Sequence, residues 1–113
     1  MSDRRIFTYR EALESFPRVR RRTHAAVRQV EALYNSLKSR REAEVRSEEI
    51  QAEIERIVDR WMEEIVAMGC EVKGLWLVDW DSGDGYYCWR YPEETIAYFH
   101  SYEDGFAGRM PIA

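Results

Sequence analysis

Cysteine is scarce in this sequence: Cys70 and Cys88 are the two in 113 residues. A disulfide scaffold needs more, so an apolar core has to stabilise the chain. Proline is nearly as rare, at three, and no glycine stands before Gly69. A long stretch almost free of both breakers reads as helix. Uninterrupted apolar runs are only a few residues long, which excludes a membrane-spanning helix. The opening Met-Ser-Asp-Arg-Arg leads into no apolar signal segment, so the expected address is the cytoplasm. What is present is core-forming material. Hydrophobic residues make up 45% and aromatics 13%, with four Trp and seven Tyr, which excludes a disordered chain. The length suits one domain, residues 1–113, with a helical part at 1–69 and a β part at 70–113.

Charge is divided unevenly. Residues 1–46 carry 12 Lys and Arg against 6 Asp and Glu, whereas residues 47–113 carry 5 against 15. The net charge of −4 and the pI of about 5.3 disfavour a nucleic-acid partner. The Arg18–Arg22 run, four Arg around Val19, opposes the dipole of a helix beginning there and calls for an acidic neighbour; Glu63, Glu64 and Glu71 are candidates.

Thr8 followed by Glu11 forms a capping box and predicts a short helix over 9–15. Pro17 suits the first turn of a second, longer helix. Val19, Thr23, Ala26, Val30, Leu33 and Leu37 then follow at coiled-coil spacing. A second seam runs through Ile50, Ile54, Ile57, Val58, Trp61, Ile65 and Met68. Residues 38–49 offer little to bury. One reading is a single helix over 17–69, about 80 Å long. The other, favoured by the basic and acidic arms, is an antiparallel hairpin whose second arm is capped by Ser47 and closed by a left-handed Gly69.

The second part alternates as strands do. Strands are predicted at 75–80, 86–91 and 95–100, making a three-stranded antiparallel meander. The expected fold is therefore α+β, a long antiparallel helical hairpin packed on that meander. Pairing Arg90 with Ile96 would set Cys88 opposite Tyr98 and Tyr86 opposite His100, gathering Cys88, Arg90, Tyr98 and His100 on one face. The tail, with Gly105 and Gly108 around Phe106 and Ala107, reads as a loop closing over the sheet or a neighbouring subunit.

Four segments carry a resemblance: Phe7-Thr8-Tyr9-Arg10-Glu11-Ala12, Gly74 to Trp80, Cys88-Trp89-Arg90, and Tyr98-Phe99-His100 leading to Gly105-Phe106-Ala107-Gly108-Arg109. In that order they resemble the domain-of-unknown-function family 2203, small proteins of bacteria and archaea, over nearly the whole chain. Phe99 stands where the family has Trp, Trp76 where it has Gly, and Ser101 where it often has Glu. The resemblance implies no reaction. It implies a site at Asp79, Cys88, Arg90, His100 and Arg109.

Several chemistries suit these residues. Cys88, His100, Asp79 and Glu103 are acceptable zinc or iron ligands, without the close spacing of a metal-binding motif. Cys88 beside His100 has the makings of a nucleophile. Arg90 and Arg109 could grip a small anion, or be taken up by Asp79, Glu103 or Asp104. Cys70 reads as packing. The loop from Asp79 to Gly85 is no calcium loop, because Arg90 occupies the twelfth position where Glu is required. The combined expectation is a non-enzymatic binding or assembly module forming a homodimer. Its ligand or partner surface would lie around the Cys-Trp-Arg strand and the Gly-Phe-Ala-Gly-Arg tail. The alternative is a metal- or cysteine-dependent enzyme using Cys88 and His100. No cofactor is favoured.

Overall fold

The computed structural model describes residues 5–113. Thr8 caps the first helix as expected: its hydroxyl accepts from the Glu11 N–H, and the Glu11 carboxylate accepts from the Thr8 N–H. From there α1 runs unbroken over Tyr9–Asn35. The expected break before Pro17 does not occur. Ala12 and Phe16 before it and Val19, Thr23 and Ala26 after it all enter one core, and that shared burial outweighs the backbone hydrogen bond the proline forfeits.

The polar stretch folds into a short helix, α2 (Arg40–Val45), and then α3 (Ser47–Ala67) returns. This is the hairpin, and the single rod is excluded. Ser39 caps α2 by accepting from Glu42 N–H. Ser47 does not cap α3; it is the first residue of that helix, and Arg46 precedes it without a side-chain cap. The helix start is served instead by Glu48 and Glu49 in its first turn. Arg22 pairs with Glu64 across the arms. Beside that pair, Trp61 Nε1 donates to Thr23 Oγ1 at 2.8 Å, and Thr23 Oγ1 donates to the Val19 carbonyl. The seam is buried at Val19, Thr23 and Ala26 but only half-buried at Val30, Leu33 and Leu37.

Gly69, at φ +91°, ends α3; a Cβ there would come within 2.7 Å of the Arg5 side chain. The chain then forms five antiparallel strands, not three, in the order β1-β2-β3-β4-β5. They are β1 (Glu71–Gly74), β2 (Leu77–Asp81), β3 (Tyr86–Arg90), β4 (Tyr98–His100) and β5 (Met110–Pro111), with a 3₁₀ turn over Phe106–Gly108. Leu75 and Trp76, expected in a strand, form the β1–β2 turn, where Trp76 takes φ +59°. Thr95, Ile96 and Ala97 also stay outside the strands.

The register sets Asp79 opposite Cys88, Cys88 opposite Tyr98 and Tyr86 opposite His100. Alternation then gives the sheet two unlike faces. Val78, Trp80 and Trp89 point to the helices, where Phe16 packs against both Trp rings. Each such large side chain contributes roughly 2–3 kcal/mol of burial. Trp80 Nε1 is satisfied by Ser15 Oγ. The opposite face holds Asp79, Cys88 and His100.

Candidate functional site

On the face turned away from the helices, three neighbouring strands bring a carboxyl, a thiol and an imidazole together. Asp79 comes from β2, Cys88 from β3 and His100 from β4. All three are buried, at 0%, 0% and 3% exposure. His100 Nε2 lies 2.9 Å from Asp79 Oδ2. Its Nδ1 lies 2.7 Å from the Ser101 carbonyl oxygen. A carbonyl oxygen can only accept, so Nδ1 carries a hydrogen and Nε2 is the atom presented to the carboxylate. Asp79 Oδ1 is buried without a hydrogen-bond partner.

Burial raises the pKa of the Asp79 carboxyl, opposed by Cys88, His100 and Lys73. Burial also raises that of the Cys88 thiol strongly, and the Asp79 charge adds to the effect, while Arg109 opposes it. Near neutral pH Cys88 is therefore a thiol, not a thiolate. Cys70, at the end of the helical part, is pushed up to about 12 by burial.

The C-terminal segment covers this face. Gly85 lets β4 approach closely: a Cβ there would come within 2.6 Å of both the His100 carbonyl oxygen and the Phe99 ring. Tyr102 donates its hydroxyl to Asp81 Oδ1 at 2.7 Å, and the Tyr86 ring lies between Tyr102 and His100, with centroids 5.0 and 5.4 Å away. Beyond them opens a cleft of about 890 Å³ bordered by Glu71, Asp81, Tyr86 and Tyr102. Lys73 sits above the Tyr86 ring at 4.2 Å and pairs with Glu71.

Arg109 is held by Glu93, which accepts from both terminal nitrogens at 3.0 and 2.9 Å. Its guanidinium also lies 4.0 Å from the Tyr98 ring centroid and 4.1 Å from that of Phe106. The fork expected of Arg90 and Arg109 is thus not a free anion clamp. The Arg90 side chain is exposed, 5.5 Å from the Phe106 ring, and its backbone N–H donates to Glu93 Oε1.

Of the residues singled out by sequence, the fold brings Asp79, Cys88 and His100 together, with Arg109 beside Cys88. It leaves Arg90 at the rim. Of the candidate ligands Cys88, His100, Asp79 and Glu103, the first three group together, while Glu103 is exposed and outside the cluster. Tyr86 and Tyr98 lie opposite His100 and Cys88, as the assumed pairing placed them, whereas the parts of Glu93 and Tyr102 carry no signal in the sequence. Glu93 gave no periodic signal, since it lies in the irregular link between β3 and β4.

A family model described as an uncharacterized conserved protein (DUF2203) matches residues 5–112. No curated protein and no solved structure matches the chain.

Proposed function

The chain belongs to the DUF2203 family, and from that premise we propose that it is a non-enzymatic binding and assembly module that works as a homodimer. Its ligand surface is the sheet face opposite the helices, around Cys88–Arg90 and the Gly105–Arg109 segment. The observation that carries this reading is the ionisable trio buried there, with Asp79 Oδ1 left unpaired. Desolvating a carboxyl, a thiol and an imidazole together is costly, and a bound species offsets that cost. The state of the thiol supports binding over covalent catalysis. A nucleophilic cysteine needs an accessible thiolate, whereas Cys88 is fully buried and its pKa is raised.

The homodimer is supported by shape and by exposed apolar side chains. The radius of gyration is 16.2 Å, against about 13 Å for a compact chain of similar length. Leu75 and Met110 are 60% and 59% exposed, and Tyr34 and Val45, toward the end of the hairpin, 57% and 78%. Native mass spectrometry of gently purified protein, with elemental analysis of the same sample, tests the proposal. A dimer carrying a stoichiometric bound species is expected. A monomer of bare mass at micromolar concentration overturns it.

A further inference from the structure

The buried trio supports a more specific reading, which rests on the binding function proposed above. One ligand atom each from Asp79, Cys88 and His100 lies within 4.8 Å of the other two. The three stand on adjacent, hydrogen-bonded strands, so their spacing is set by the sheet ladder and not by flexible loops. Two further details point to a cation site. Asp79 Oδ1 is a buried acceptor without a hydrogen bond of regular geometry, with the Cys88 thiol beside the carboxyl group, and buried polar atoms are seldom left so. His100 donates from Nδ1 to the Ser101 carbonyl, which turns Nε2 toward the other two donors; metal-bound histidines are oriented in this way.

We propose that Asp79, Cys88 and His100 bind a single divalent transition-metal ion of the zinc type, leaving a fourth position for water or for an outer ligand. The donor set selects the class of ion. One sulfur, one imidazole nitrogen and one carboxylate oxygen suit Zn²⁺ or Fe²⁺, whereas Ca²⁺ and Mg²⁺ call for oxygen ligands alone. The nearby positive charges are engaged. Arg109 is paired with Glu93 through both terminal nitrogens, and Lys73 is paired with Glu71.

Protons balance on loading. The Cys88 S–H bond breaks as the metal–sulfur bond forms, and that proton leaves to solvent. The proton between His100 Nε2 and Asp79 Oδ2 leaves as well, freeing a nitrogen lone pair and a carboxylate oxygen for the ion. A dication thereby makes a thiolate stable in a place where burial otherwise keeps a thiol.

The test adds Co²⁺ to the metal-stripped full-length chain and follows absorption. One equivalent is expected to bind, with a thiolate-to-cobalt charge-transfer band that Zn²⁺ then displaces. Cys88→Ser should abolish the band. His100→Gln should weaken binding by at least about tenfold, and Cys70→Ser should leave both band and affinity unchanged. Absence of the band in the parent chain, or a band that survives in Cys88→Ser, overturns the inference. Should Cys88→Ser not fold, Asp79→Asn is read in its place, with at least about tenfold weaker Co²⁺ binding expected and unchanged binding counting against the site. A dimer that retains an organic ligand but binds no Co²⁺ refutes the metal and leaves the binding function standing. A bare monomer that binds no Co²⁺ refutes both.

Discussion

Arg109 is fixed by four hydrogen-bonding and stacking contacts at once: two to Glu93, one to the Tyr98 ring and one to the Phe106 ring. Lysine could keep the charge but not the planar fork. Arg109→Lys is therefore expected to lower stability by about 1–3 kcal/mol, read as a shift in the urea midpoint. An unshifted midpoint would mean that the Glu93 pair contributes nothing. Cys70 makes a prediction of a different kind. Its thiol ionises at about 12 in the folded chain, against about 8.5 when unfolded. Above the lower value the unfolded chain binds fewer protons than the folded one, so stability falls as pH rises. The stabilising contribution is complete below about pH 8.5 and is lost at roughly 1.4 kcal/mol per pH unit on the way to 12. Cys70→Ala should flatten that part of the stability–pH curve; a curve identical to the parent's would refute the assignment.

Among the elements, α1 contains an internal conflict. Pro17 interrupts its hydrogen bonding while Phe16 and Val19 on either side are buried. Pro17→Ala restores the donor at an exposed position, and a gain of about 2 kcal/mol is expected after allowing for the more flexible unfolded chain. A loss of stability in denaturant melts would show that the proline is accommodated without strain. The same conflict limits what sequence reveals: the helix rule at Pro17 was sound locally, and burial on both sides overrode it. The outer strands were illegible for related reasons. Glu71–Gly74 is short and charged, and Met110–Pro111 contains a proline tolerated only at a sheet edge. The central strands were legible because aromatic and β-branched residues alternate there. From that alternation and one assumed pairing, the shared face of Cys88 and His100 follows. Asp79 joins them through the β2–β3 register, while Glu93 depends on an irregular link that no periodicity describes.

At the scale of the whole molecule, the sheet end and the hairpin end are built differently. Most of the core lies where α1 and α3 meet the sheet, and Ile50 is the one buried residue of the helical arms beyond Ala26 until Trp61. Local stability follows buried contacts. Amide hydrogen exchange should accordingly be slowest in β2 and β3 and fastest around α2, and raising protein concentration should slow exchange at the hairpin end if a second copy covers it. Uniform protection along the hairpin at low concentration would contradict this gradient.

The strict sequence order of the strands also bears on how the protein is made. Chains emerge from synthesis N-terminus first, at roughly 5–20 residues per second. A nascent chain that has reached Arg90 already owns both helical arms and the tryptophans they cover, Trp80 and Trp89. His100 and Arg109 follow only afterwards, on β4 and in the segment before β5. Most of the apolar side of the sheet is thus synthesised before His100 completes the cluster with Asp79 and Cys88.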